Sequence, residues 1–294
     1  MDTNLRQSEN KVTVEGILSE FELEEKKSDK GDDIIQGHVS LKVSDINTIR
    51  FGVYVGALKN NGDANPAYTG LKTVMNEFKS VADVGEQEAD RISVNRGSFN
   101  FYHTDDGRDL INYKASFFHR IKEGEKYEPK SEFAIEVYIS NIVQEFDKEG
   151  NETGRLLVKG WTVTFSGIEP ITLIAPKEIA SDIESMFEIG QTAKFYGDIV
   201  NERVEVVKEI PVAIGKPRTE VTVNYKNENV ITGATTPYEE GISEFPPYPK
   251  DSIDLAIQER TNKLEENENA RLNKANPFKA ATPSGAAQGR TINW

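Results

Sequence analysis

Apolar and polar residues alternate with a period of two through most of residues 11–212, and the strands this implies come in an order that occurs twice. In the first copy, 11–23 (KVTVEGILSEFEL), 34–43 (IIQGHVSLKV) and 48–56 (TIRFGVYVG) read as strands, with Val12, Val14 and Ile17 as core members of the first. In the third, Ile49, Phe51, Val53 and Val55 share one face, and Arg50, Gly52 and Tyr54 share the other. A polar loop follows at 59–67. The spacing of Leu71, Val74, Met75 and Phe78 then predicts a short amphipathic helix over 69–80. Strands resume at 91–102 and 110–120 around the turn TDDGRD, whose Asp-Gly suits a tight hairpin.

The second copy repeats the order. Strands are expected at 133–146, 155–165 and 171–174, a helix from Pro176 to about Phe187, and strands at 188–200 and 203–212. Gly160 marks a bulge or a close approach within the second of these. Strand, strand, strand, helix, strand, strand is the order of the OB barrel, which holds single-stranded nucleic acid or oligosaccharide. The expected fold is mainly β: two five-stranded OB barrels in tandem, each with one short helix, plus a C-terminal helix and a disordered tail. The divisions expected are a disordered 1–10, barrels at 11–130 and 131–215, an extended linker at 216–250, a helix at 251–272 and a disordered tail at 273–294. One further strand is expected within the linker, at 221–231. The repeat is one of element order, not of residues.

Composition narrows the function. The 294 residues contain no cysteine, which removes disulfides, zinc–cysteine sites and thiol nucleophiles. No apolar run is long enough to span a membrane, and the polar start MDTNLRQSEN lacks the apolar stretch of a signal peptide; a cytoplasmic protein is expected. His38, His103 and His119 are scattered over three strands or strand ends, so no metal is expected. Phosphate-loop, dinucleotide and nucleophile-elbow motifs are missing, and neither an enzyme nor a cofactor is expected. The net charge of −14 argues against a general duplex binder. That charge is uneven: the last 24 residues hold Arg271, Lys274, Lys279 and Arg290 and no acid.

Single-strand binders stack aromatic rings on bases and set cations along the phosphates. The useful pattern is an aromatic and a cation on the outward face of one strand. Arg50 with Tyr54 fits, as do Lys114, Phe118 and Arg120 together, Lys159 with Trp161 and Phe165, and Lys194 with Tyr196. The competing reading is a half-buried strand with rings on both faces, and of the adjacent Phe117 and Phe118 one is expected in the core.

Three segments carry a family resemblance: RISVNRGSFNFYHTDDGRDLINYKASFFHRI (91–121), IGQTAKFYGDIVN (189–201), and VITGATTPYEEG (230–241) followed by DSIDLAIQERTNKLEE (251–266). With them the chain resembles the tandem OB-fold single-stranded DNA-binding proteins of phages and mobile elements of Gram-positive bacteria. The resemblance implies DNA replication or recombination in an infected host's cytoplasm, and it carries over no binding residue. Replication or recombination proteins docking through the tail are candidate partners. Bacterial single-strand binders commonly end in an acidic, Phe-tipped tail; this chain instead ends in a basic stretch closed by Trp294. The alternative reading is a non-enzymatic phage interaction or virion structural protein that uses OB-like domains to bind protein partners.

Overall fold

The computed structural model describes residues 5–210, 218–243 and 245–275. Its strands are β1 (Asn10–Lys27), β2 (Asp33–Lys42), β3 (Thr48–Gly56), β4 (Arg91–His103), β5 (Asp109–Lys114), β6 (His119–Arg120), β7 (Lys130–Phe146), β8 (Glu152–Thr164), β9 (Gly167–Ala175), β10 (Thr192–Ile210) and β11 (Arg218–Ala234). The helices are α1 (Pro66–Glu77), α2 (Val81–Val84), α3 (Ala180–Met186) and α4 (Lys250–Ala275).

The pairings close two rings. β1, β2, β3, β5 and β4 follow one another, and β4 returns to β1. β7, β8, β9, β11 and β10 do the same, and β10 returns to β7. In each ring the third and fifth strands run parallel and the other neighbours antiparallel. The rings are fused where β1 pairs with β7, from Asn10↔Ile135 to Glu15↔Lys130. One hydrophobic core runs through the junction, where the Phe99 and Phe133 rings meet at 5.6 Å.

Local chemistry explains most element bounds. β3 alternates as its sequence demands: Ile49, Phe51, Val53 and Val55 are buried while Arg50 and Tyr54 face out. α1 begins at Pro66 because Asn65 caps it, its side chain accepting from Ala67 N, and Leu71 and Val74 are buried below. In β1 the inward set is Val12, Val14, Gly16 and Leu18, so Ile17 lies on the other face, against expectation. Gly16 holds the inward place because a Cβ there would meet Lys42 O at 2.6 Å. Gly160 is likewise a close approach: a Cβ would come within 2.4 Å of Tyr138 O.

Three expectations are corrected. The strand expected at 110–120 breaks after Lys114, and a bend precedes the short β6. The fourth strand of the second ring does not stop near 200: β10 runs unbroken to Ile210, and the ring's fifth strand is β11 rather than 203–212. Asn201 and Arg203 are instead held in the strand by the first ring: Asn201 N donates to Asn47 Oδ1 at 2.9 Å, Asn201 Nδ2 to Thr48 O at 2.8 Å, and Arg203 N to Ile46 O at 2.9 Å. Much of the expected linker is therefore strand. Residues 5–10, expected to be disordered, are bonded to the second ring: Arg6 meets Glu136 at 2.7 Å, and Ser8 N donates to Val163 O at 2.9 Å. The expected tail lies outside the described residues from 276 onward, as do Ile292 and Trp294.

Candidate nucleic-acid interface

The outward face of β3 continues onto its parallel neighbour β5. Phe51 and Tyr113 are paired and both turn inward, their rings 6.4 Å apart. Gly52 is paired with Lys114, so Lys114 stands outside between the levels of Arg50 and Tyr54. Beyond β5, Ser98 and Asn100 of β4 oppose Lys114 and Asn112, and Asn100 Nδ2 donates to Asn112 Oδ1 at 2.8 Å. Tyr54 is 67 % exposed and Tyr102, two residues beyond Asn100, is 42 % exposed. Two rings, a guanidinium, an ammonium and two amides thus share one surface.

Charge on this surface is not cancelled. The Arg50 guanidinium donates to His38 Nδ1 at 2.7 Å and, like Lys114, has no carboxylate partner among the described residues. On β1, Glu22 approaches His38 at 3.7 Å and Glu24 opposes Gln36; Asp29, Asp32 and Asp33 line the cleft beside Tyr54, and Glu169 lines the one beside Lys114. These acids rim a path along β3, β5 and β4 on which Arg50 and Lys114 are the cations.

Clefts mark that path. Tyr54 borders a space of about 800 Å³ between the β1–β2 loop and the segment after β3. Arg50 and Asn112 line one of about 260 Å³ with Asn201 and Asn227. Lys114 and Asn100 line one of about 210 Å³ whose far wall is Phe165. Phe165, at the β8–β9 turn, is 93 % exposed. It also borders a cleft of about 450 Å³ that Lys263 of α4 lines. Arg50, Tyr54 and Lys114 therefore share the β3–β5 face, and Phe165 of the second ring shares a cleft with Lys114. Asn100, Asn112 and Tyr102 join them; their signal in the sequence was the alternation Ser98–Asn100–Tyr102, opposite the buried Phe99.

The other expected residues lie elsewhere. Phe118 is buried and packs edge-on against Phe51 at 6.1 Å, so it is a core residue. The bend after Lys114 breaks the strand parity that would have put Phe118 outside. Arg120 sits over the Phe78 ring at 4.4 Å and pairs with Asp90 at 2.9 Å, away from Lys114. Lys194 is tied to Glu9 at 2.5 Å and lies 5.3 Å from the Tyr196 ring, on the surface beside the β1–β7 junction. Burial works to lower its pKa, and the hydrogen bond and charge of Glu9, together with Tyr196, outweigh it and raise it.

Lys159 is exposed and has no carboxylate partner among the described residues, but Trp161 beside it is half-buried. Trp161 packs on a small cluster of Tyr138, Val163, Ile168, Tyr248, Ile253 and Ala256. The first turns of α4 thus cover the β8–β9 surface, the counterpart of the open β3 surface. A clasp holds the cover: Arg6 pairs with the buried Glu136, stacks on Phe245 and Tyr248 at 4.7 and 4.6 Å, and bonds the Tyr248 hydroxyl at 3.1 Å. Burial pushes the Tyr248 phenol up to about 12. Farther along α4, Arg260 bridges Glu169 at 3.1 Å and Asp109 at 2.5 Å. Burial works to raise the Asp109 carboxyl, but the hydrogen bonds from His103 and Arg260 outweigh it and hold it below the usual carboxylate range.

Among the described residues no cluster of His, Asp and Glu could hold a metal, and no helix is long and apolar enough to cross a membrane.

A comparison with the curated proteins gave no match. Among solved structures, the wild-type single-stranded DNA binding protein from Thermus aquaticus is 10% identical, with a TM-score of 0.47 over 82% of this chain and 98% of that one. A deletion variant of the same protein scores 0.48, at 10% identity, over 82% of this chain and 100% of the other. A replication protein A heterotrimer bound to single-stranded DNA is 10% identical, with a TM-score of 0.19 over 80% of this chain and 67% of that one. At the level of sequence, the family model YorF matches residues 8–270, and the chain belongs to the YorF family.

Proposed function

We propose that this protein binds single-stranded DNA on the outer surface of β3, β5 and β4, and that it serves phage DNA replication or recombination. Bases stack on Tyr54 and, at the far end, on Phe165; Arg50 and Lys114 neutralise phosphates between them. The observation that carries this reading is the placement of exposed Tyr54 beside two cations that have no carboxylate partner among the described residues, in a chain of net charge −14. Stacking and phosphate contacts tolerate any base, so sequence preference is weak. In this reading the two rings act as OB domains of unequal use, the first as the platform and the second supplying Phe165. The replication or recombination role rests on the family resemblance.

The test is a titration of oligo-dT at two salt concentrations. Binding that weakens as salt rises, with duplex of the same length bound far less well, supports the reading. No binding at low salt, or equal affinity for duplex, overturns it. The strongly acidic balance favours the alternative, a protein-binding role; that role expects Tyr54→Ala to leave DNA affinity unchanged.

A further inference from the structure

The β10–β11 ribbon carries an open strand edge. From Arg218 to Glu228, β11 is paired with β10 on one side, while its pairing with β9 is confined to Val230↔Ile174. Along 218–228 the other edge has no strand partner among the described residues. The ribbon here is well exposed: Tyr225 is 71 % accessible, Val221 54 % and its cross-strand neighbour Val207 59 %. Such an edge, rich in β-branched and aromatic residues and free of proline, is a template for another strand.

The sequence of that edge is complementary to itself. Laid antiparallel on a second copy with Val223 at the centre, Glu220 opposes Lys226, Val221 opposes Tyr225, Thr222 opposes Asn224, and Val223 opposes its own counterpart. At the ends Arg218 opposes Glu228, although Glu228 also holds Arg155 at 3.0 Å within its own chain. Symmetry makes each of these pairs twice. Opposite charges and aromatic–β-branched pairs facing one another are what stabilise antiparallel neighbours. Nearby registers are penalised. Centring on Thr222 sets Arg218 against Lys226, and centring on Asn224 sets Glu220 against Glu228. The location suits self-association as well. Two bodies of charge −14 repel, and the stretch 218–228, with two acids and two bases, is neutral.

We propose that two copies of this chain join along β11, antiparallel about Val223, to form a continuous four-stranded sheet from the two ribbons. The partner is a second copy of the protein, and the contact is independent of nucleic acid. Sedimentation of the full chain without DNA tests it. The expected result is a dimer whose dissociation constant rises about ten-fold or more in Glu220→Lys, where Lys faces Lys226 at both symmetric positions. Adding Lys226→Glu to that variant restores the dimer, and thermal melts confirm that the variants stay folded. Because the chain has no native cysteine, Val223→Cys gives a disulfide-linked dimer on mild oxidation. A wild-type monomer at every concentration, a dimer indifferent to Glu220→Lys, or a Val223→Cys chain that does not cross-link would each overturn the proposal.

Discussion

The two rings share a strand order and differ in what lies on the outside of their second and third strands. In the first, β3 presents Arg50 and Tyr54 to solvent, with Lys114 beside them. In the second, the β8–β9 surface carries Trp161, Val163 and Ile168 beneath Tyr248, Ile253 and Ala256. One architecture therefore yields an open platform and a closed one. What decides between them is not the strand pattern but whether distant segments, here residues 5–10 and α4, come back to cover the face. An aromatic and a cation on one strand face are necessary for a stacking surface; access and an uncompensated charge are the further conditions.

Four tests sharpen or break that contrast. The largest effect belongs to Phe118→Ala, which empties the first ring's core and should cost about 3–5 kcal/mol of stability in a urea melt. A loss below about 1 kcal/mol would return Phe118 to the surface. Next is Arg6→Ala, which strands the buried Glu136 carboxylate and should cost about 3 kcal/mol. Its signature is faster amide exchange in residues 250–260, with β3 unaffected. Slower or unchanged exchange there would mean that the clasp does not hold the cover.

Removing cations should separate the open face from the tied ones. Arg50→Ala with Lys114→Ala should flatten the salt dependence of single-strand affinity by about 1.4 in the log–log slope. Arg120→Ala with Lys194→Ala should leave it nearly unchanged, since Asp90 and Glu9 already neutralise them. Equal changes from the two pairs would erase the distinction. The smallest effect is one of pH. The folded Asp109 carboxyl sits below its ordinary value, so its support of α4 is complete above the ordinary carboxylate pKa, about 4. It is lost as pH falls through the lowered value. Attachment of α4 to the β4–β5 hairpin should hold from neutral pH down to about 4 and loosen below, by about 1 kcal/mol or less. Asp109→Asn should remove that acid dependence in exchange measurements.

Period-2 alternation made much of this legible in the sequence. It placed Arg50 and Tyr54 outside and Ile49, Phe51, Val53 and Val55 inside, and it revealed the doubled order. Gly160 was readable as a bulge or a close approach, and both are present: a Cβ there would meet Tyr138 O at 2.4 Å, and the register shifts beside it between Ile139 and Asn141. What could not be read was non-local. The bend after Lys114 reset the parity that had grouped Phe118 and Arg120 with it. The partners of Lys194 and Arg6 lie 185 and 130 residues away. Trp161 looks open from its own strand, and only the return of α4 closes it. The continuation of β10 past residue 200 was hidden for the same reason: Asn201 suits a turn, and its bonds to Asn47 and Thr48, 154 and 153 residues away, keep it in the strand.

The central claim is that DNA follows the open face of the first ring and not the covered face of the second. Fluorescence anisotropy of labelled oligo-dT with folded Tyr54→Ala and Trp161→Ala variants tests it most directly. The account predicts that Tyr54→Ala loses about ten-fold or more in affinity, in the range of one stacked base, while Trp161→Ala stays within about two-fold of the parent. A large loss in Trp161→Ala beside an unchanged Tyr54→Ala would contradict it.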